Sequence, residues 1–113
     1  MKKNEVKQEF LNIFIRGKEG REKITIAQAL FGDNVERLKD SIFVECCGVL
    51  RGMELDPHDD YKGGIFTDTT SLGWAVTNEV MSYAEGNKTE KECMDGIMKI
   101  IARFNAELSK KAA

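Results

Sequence analysis

One run of this 113-residue chain concentrates its reactive side chains. Asp56-Pro57-His58-Asp59-Asp60 sets the only histidine among three carboxylates. Aspartates and an imidazole can ligate a divalent cation, and a carboxylate can orient a histidine as a general base. The calcium-loop template fails: counted from Asp56, the sixth position is Tyr61 where a glycine is needed, and the twelfth is Thr67 where a bidentate glutamate is needed. No H-E-x-x-H or E-x-x-H spacing occurs. The preferred reading is a solvated polar turn set by Pro57; a metal-dependent activity centred on His58 is an alternative.

Cys46, Cys47 and Cys93 make an odd count. Adjacent cysteines do not bridge each other easily, and no second pair completes a zinc set. Three reduced thiols in a cytoplasmic protein is the expectation, with at least one packed as a small apolar side chain. A nucleophilic cysteine would need a cation or a helix N-terminus beside it.

Two glycine pieces, Gly17-Lys18-Glu19-Gly20 and Lys62-Gly63-Gly64, match neither G-x-x-x-x-G-K-[ST] nor G-x-G-x-x-G and read as turns. Residues 25–40 have the layout of a helix-turn-helix: a short helix with Ile26, Ala27 and Leu30, a turn at Gly32, then a second helix. The glycine falls one residue late, and the would-be reading helix opens Asp33-Asn34-Val35-Glu36, which aims carboxylates at phosphates. Two packed helices joined by a tight turn is the preferred reading. A small DNA-binding regulator is the runner-up, using this segment and the basic residues Lys2, Lys3, Lys7, Arg16, Lys18 and Arg21.

Charge favours a different partner. Seventeen Lys/Arg against nineteen Asp/Glu leave −2 net. Residues 1–23 carry seven basic and four acidic side chains, residues 24–70 four and nine, and residues 71–113 six of each. A nucleic-acid groove wants a basic face, because phosphate neutralisation supplies most of the affinity. An acidic centre leans instead towards a protein with a basic surface.

The elements that must hold these groups are helical. With 42% hydrophobic and 32% charged residues the chain has a folding composition. Its apolar runs reach only three residues, as at Ile13-Phe14-Ile15, whereas a membrane span needs about 20. Val6, Phe10, Ile13 and Phe14 predict a helix over Asn4–Arg16 with Gly17 as its stop; a β-hairpin over residues 11–26 competes with it. Thr25 with Gln28 frames a short helix, Ile26–Phe31. Asp33 with Glu36 opens the clearest helix, Asn34–Arg51, whose wide stripe (Val35, Leu38, Ile42, Cys46, Val49, Leu50) marks it as the central one. Residues 52–70 read as a long acidic loop anchored by Leu55, Tyr61, Ile65 and Phe66. A helix over Thr69–Ala84 ends at Gly86-Asn87. Thr89 with Glu92 starts the last one, through Cys93, Ile97, Ile101, Phe104 and Leu108, with Lys110 and Lys111 near its end.

The expectation is therefore all-α: a single domain, residues 1–113, forming a compact bundle of four main helices plus one short helix, with a long acidic loop at about 52–70. Trp74 and Met81 lie beside their helix's stripe, and Phe43 and Cys47 widen the central one, as interface side chains do. With no complete catalytic set, the chain reads as a non-enzyme without cofactor, metal or membrane anchor. It is expected to act by protein–protein contact as an adaptor or inhibitor of a larger partner, and to self-associate as a homo-oligomer. Small acidic helical inhibitors of phages and mobile elements offer the analogy. The contact residues are expected to be Asp56, Asp59, Asp60, Tyr61, Phe66 and Trp74.

Overall fold

Among the described residues, four helices and one two-residue ladder carry the chain, and most of their boundaries follow from local chemistry. A computed structural model describes residues 2–24, 30, 33–61 and 70–112, leaving aside the side chains of residues 3, 33 and 108–112. Helix α1 spans Lys3–Glu22, α2 Asp33–Gly52, α3 Leu72–Ala84 and α4 Glu90–Ala112. Strands β1 (Asp60–Tyr61) and β2 (Thr70–Ser71) pair antiparallel between α2 and α3, Asp60 opposite Ser71 and Tyr61 opposite Thr70. The expected short helix at 26–31 lies, apart from Leu30, outside the described residues. So do Ile65 and Phe66 of the loop.

Helix α1 does not stop at Gly17; it runs through Gly17 and Gly20 to Glu22, which also overturns the hairpin alternative there. Packing explains both glycines. A Cβ on Gly17 would lie 3.1 Å from Ile42 Cδ1, and one on Gly20 would lie 2.6 Å from Leu38 Cδ1. They are bare spots where α2 presses against α1. Arg16 and Glu45 close the rim of that contact as an ion pair.

Helix α2 buries Ile42, Cys46, Cys47, Val49 and Leu50, and it ends without the glycine that usually marks such an end. Glu54 adopts a left-handed φ of 63°. The Leu55 N–H reaches back to the Leu50 carbonyl at 3.0 Å and the Glu54 N–H to the Arg51 carbonyl at 2.9 Å, the paired bonds of a Schellman ending. Helix α3 ends the same way with the expected residues: Gly86 at φ 83°, Asn87 N–H to Ser82 and Gly86 N–H to Tyr83.

The central helix is α3, not α2. It touches α1, α2 and α4, and Leu72, Gly73, Ala75, Val76, Thr77, Val80 and Met81 are all buried. Buried residues spread around most of this helix, Gly73 and Ala75 among them, let three neighbours approach, whereas the α2 stripe leaves an exposed face. The Thr77 hydroxyl, fully enclosed, donates to the Gly73 carbonyl at 2.7 Å. Met81 and Cys47 belong to the core rather than to an outer surface.

Helix α4 begins at the expected capping box: Glu92 N–H donates to Thr89 Oγ1 at 3.1 Å and Thr89 N–H to Glu92 Oε1 at 3.0 Å. The Thr89 N–H and hydroxyl hold the Glu92 carboxyl below its ordinary range. Glu79 ties α4 to α3: it pairs with Lys88 at 2.6 Å, fills the space left by Gly96, and its carbonyl accepts from Cys93 S–H at 3.1 Å. Residues of all four helices share one buried cluster. Among the described residues no helix is long and apolar enough to cross a membrane.

Candidate functional site

The segment after α2 is less open than a structureless loop. Pro57 is buried, and its carbonyl accepts the Gly73 N–H at 2.8 Å; the Asp59 carbonyl accepts the Leu72 N–H at 2.9 Å. Ser71 Oγ takes the Trp74 N–H at 3.3 Å. The first three N–H groups of α3 are thus all bonded to groups of the chain itself and are not free for a phosphate. Asp56 folds back on its own backbone, with Oδ1 accepting from His58 N–H at 2.9 Å.

That framework fans the reactive run outward. Asp56, His58, Asp59 and Asp60 are exposed, while Tyr61 is withdrawn into the core at 5% exposure. Tyr61 therefore anchors the segment and offers no ring to a partner. His58 Nε2 lies 3.3 Å from an Arg51 guanidinium nitrogen, which puts a cation at one of the two ring nitrogens able to bind a metal. Among the described residues no three His, Cys, Asp or Glu side chains converge on one point.

Trp74 is the functional candidate the fold arranges most fully. Half-buried at the start of α3, its ring stacks on Phe43 of α2 with centroids 4.1 Å apart and planes 15° off parallel. Lys39 Nζ stands 5.5 Å from the indole centroid, within cation–π range. Phe43 also meets His58 at 6.3 Å in a tilted arrangement. The stack is possible because Gly73, next to Trp74, lets Phe43 come in close.

Trp74 edges a groove between α2 and α3. Two adjoining depressions of about 340 and 470 Å³ share Glu36, Lys39 and Asn78; one continues to Met81 and Glu85, the other to Asp40, Thr70 and Trp74. Lys39 and Asn78 were not picked out by the sequence reading. Their signal was present: Lys39 and Phe43 stand one helical turn apart on α2, as Trp74 and Asn78 do on α3.

The basic arm is partly spoken for. Arg16 pairs with Glu45, and Lys18 Nζ sits 5.9 Å from the Tyr83 ring centroid. Most of the first helix of the helix-turn-helix segment lies outside the described residues. Its second helix is α2, with one face in the core and Glu36, Arg37 and Asp40 exposed.

The thiols are enclosed. Cys46, Cys47 and Cys93 are free and buried. Burial pushes Cys46 and Cys93 up to about 12 and raises Cys47 as well, the last partly offset by Arg51. They are kept neutral, the opposite of what a nucleophilic cysteine needs. The chain matches no family model, no curated protein and no solved structure.

Proposed function

We propose that this chain acts by protein–protein contact, as an adaptor or inhibitor of a larger partner, with the Trp74 groove as the contact. The observation that carries the reading is the Phe43–Trp74 stack: an aromatic side chain held rigid at a surface groove. Rigid, half-buried tryptophans are favoured anchors because little side-chain freedom remains to be lost on binding. Exposed Glu36, Asp40 and Glu85 give the groove an acidic rim that suits a partner with a basic surface. Three free thiols suit a reducing compartment, the cytoplasm.

Capture of the tagged chain from its host's lysate, with and without nuclease, tests this. The expected result is one stoichiometric protein that survives nuclease treatment. Trp74→Ala should lower its retention at least tenfold, in keeping with a hot-spot side chain, with the helical circular dichroism signal unchanged. Recovery of nucleic acid, or of partners lost on nuclease treatment, would favour the DNA-binding alternative; loss of helicity in Trp74→Ala would make Trp74 a core residue instead.

A further inference from the structure

The outer face of α2 holds a residue that packing among the described residues does not account for. Gly48 lies in the interior of a 20-residue helix, is exposed, and a Cβ built on it would meet nothing within 4 Å. Glycine is the worst helix-interior residue after proline. Gly17 and Gly20 answer for that cost by admitting Ile42 and Leu38; Gly48 admits none of the described residues. One turn earlier Val44 is 67% exposed. Bare backbone beside an outward valine has the shape of a helix–helix contact, a hole next to a knob.

We propose that this face pairs with the same face of a second copy of the chain, antiparallel about a twofold axis between Val44 and Gly48. A twofold contact is self-complementary, so Val44 of each copy seats over Gly48 of the other. The charges then match. The same register sets Asp40 opposite Gly52, the last residue of the helix, and so beside Arg51. Both charged residues are exposed. A parallel arrangement would instead stack Arg37 on Arg37, Asp40 on Asp40 and Arg51 on Arg51. The Arg51 guanidinium has five donors, and its contact with His58 occupies one nitrogen. The Trp74 groove opens on the neighbouring side of α2, at Glu36 and Lys39, and meets this face only at Asp40, on the groove's edge. The pairing does not depend on the partner reading above.

Sedimentation velocity of the full chain from low to high micromolar concentration tests the pairing. The dimer fraction should rise with concentration. Val44→Glu and Gly48→Gln should each shift the chain to monomer with helicity unchanged, both positions being open to solvent in the monomer. Asp40→Arg should weaken the dimer at least tenfold by setting two like-charge contacts, and adding Arg51→Asp should restore it. Trp74→Ala should leave the dimer intact, which separates this face from the groove. A chain that stays monomeric throughout, a dimer indifferent to Val44→Glu, or an Asp40→Arg/Arg51→Asp pair without rescue would each overturn the proposal.

Discussion

Replacing Gly73 by valine is expected to cost about 3 kcal/mol of stability, the upper range for overpacking a tight core. It should also unseat the aromatic stack in the molecules that remain folded. A Cβ there would lie 2.8 Å from Phe43 Cε2, 3.1 Å from Cys47 Sγ and 3.2 Å from the Pro57 carbonyl oxygen. The last two have little room to give. Cys47 is enclosed in the core, and the Pro57 carbonyl is held by the Gly73 N–H itself. Phe43 is the neighbour that must swing, and Trp74 rests on it. Since Trp74 is the only tryptophan, its fluorescence reports the event. Urea unfolding should show a lower midpoint, and the native emission should shift to the red. Wild-type stability with unchanged emission would show that the wall is softer than its distances imply.

The second large effect is alkaline. Burial raises Cys46 and Cys93 from 9.0 to about 12, so between those values the native chain keeps two protons that the unfolded chain releases. The unfolded state then binds fewer protons, and stability must fall as pH rises. The contribution is complete below pH 9 and is lost through the window up to about 12, at no more than about 1.4 kcal/mol per pH unit for each thiol. Tyrosines and lysines titrate in the same range, so the test is a difference. The slope of unfolding free energy against pH should flatten in Cys46→Ala and again in Cys93→Ala, whatever each substitution does to stability at neutral pH. Parallel slopes in wild type and variants would mean that the thiols are reached by solvent.

Helix periodicity and capping residues made the bundle legible before any coordinates. Phe10, Ile13 and Phe14 do face the core, Thr89 and Glu92 do cap each other, and Gly86 does turn the chain. The errors share one cause. A glycine's local preference is to end a helix, but Gly17 and Gly20 serve a contact with α2 that is remote in sequence, and tertiary packing overrides local preference. Glu54 is the converse case: a residue with no turn signal takes the left-handed conformation because the returning chain, through Leu55, demands it. The candidate site was half legible. Trp74 stood out by type, and the aspartates by their run. That Tyr61 turns inward depends on a ladder with Thr70 and Ser71, and that Phe43 backs Trp74 depends on the approach at Gly73. Neither follows from spacing along one element.

The way the start of α3 is tied down also bears on how the molecule breathes. Amides in the first turn of a helix ordinarily face water and trade their hydrogens within the fastest class. Here Leu72 and Gly73 give theirs to the carbonyls of Asp59 and Pro57, on a segment whose Pro57 and Tyr61 are themselves locked inside. Releasing those two amides means lifting the whole 57–61 segment off the core. In deuterated solvent, Leu72 and Gly73 should therefore exchange with the slow interior of the protein rather than with its fraying ends. The end of one helix and the stretch before it should open as a single cooperative unit.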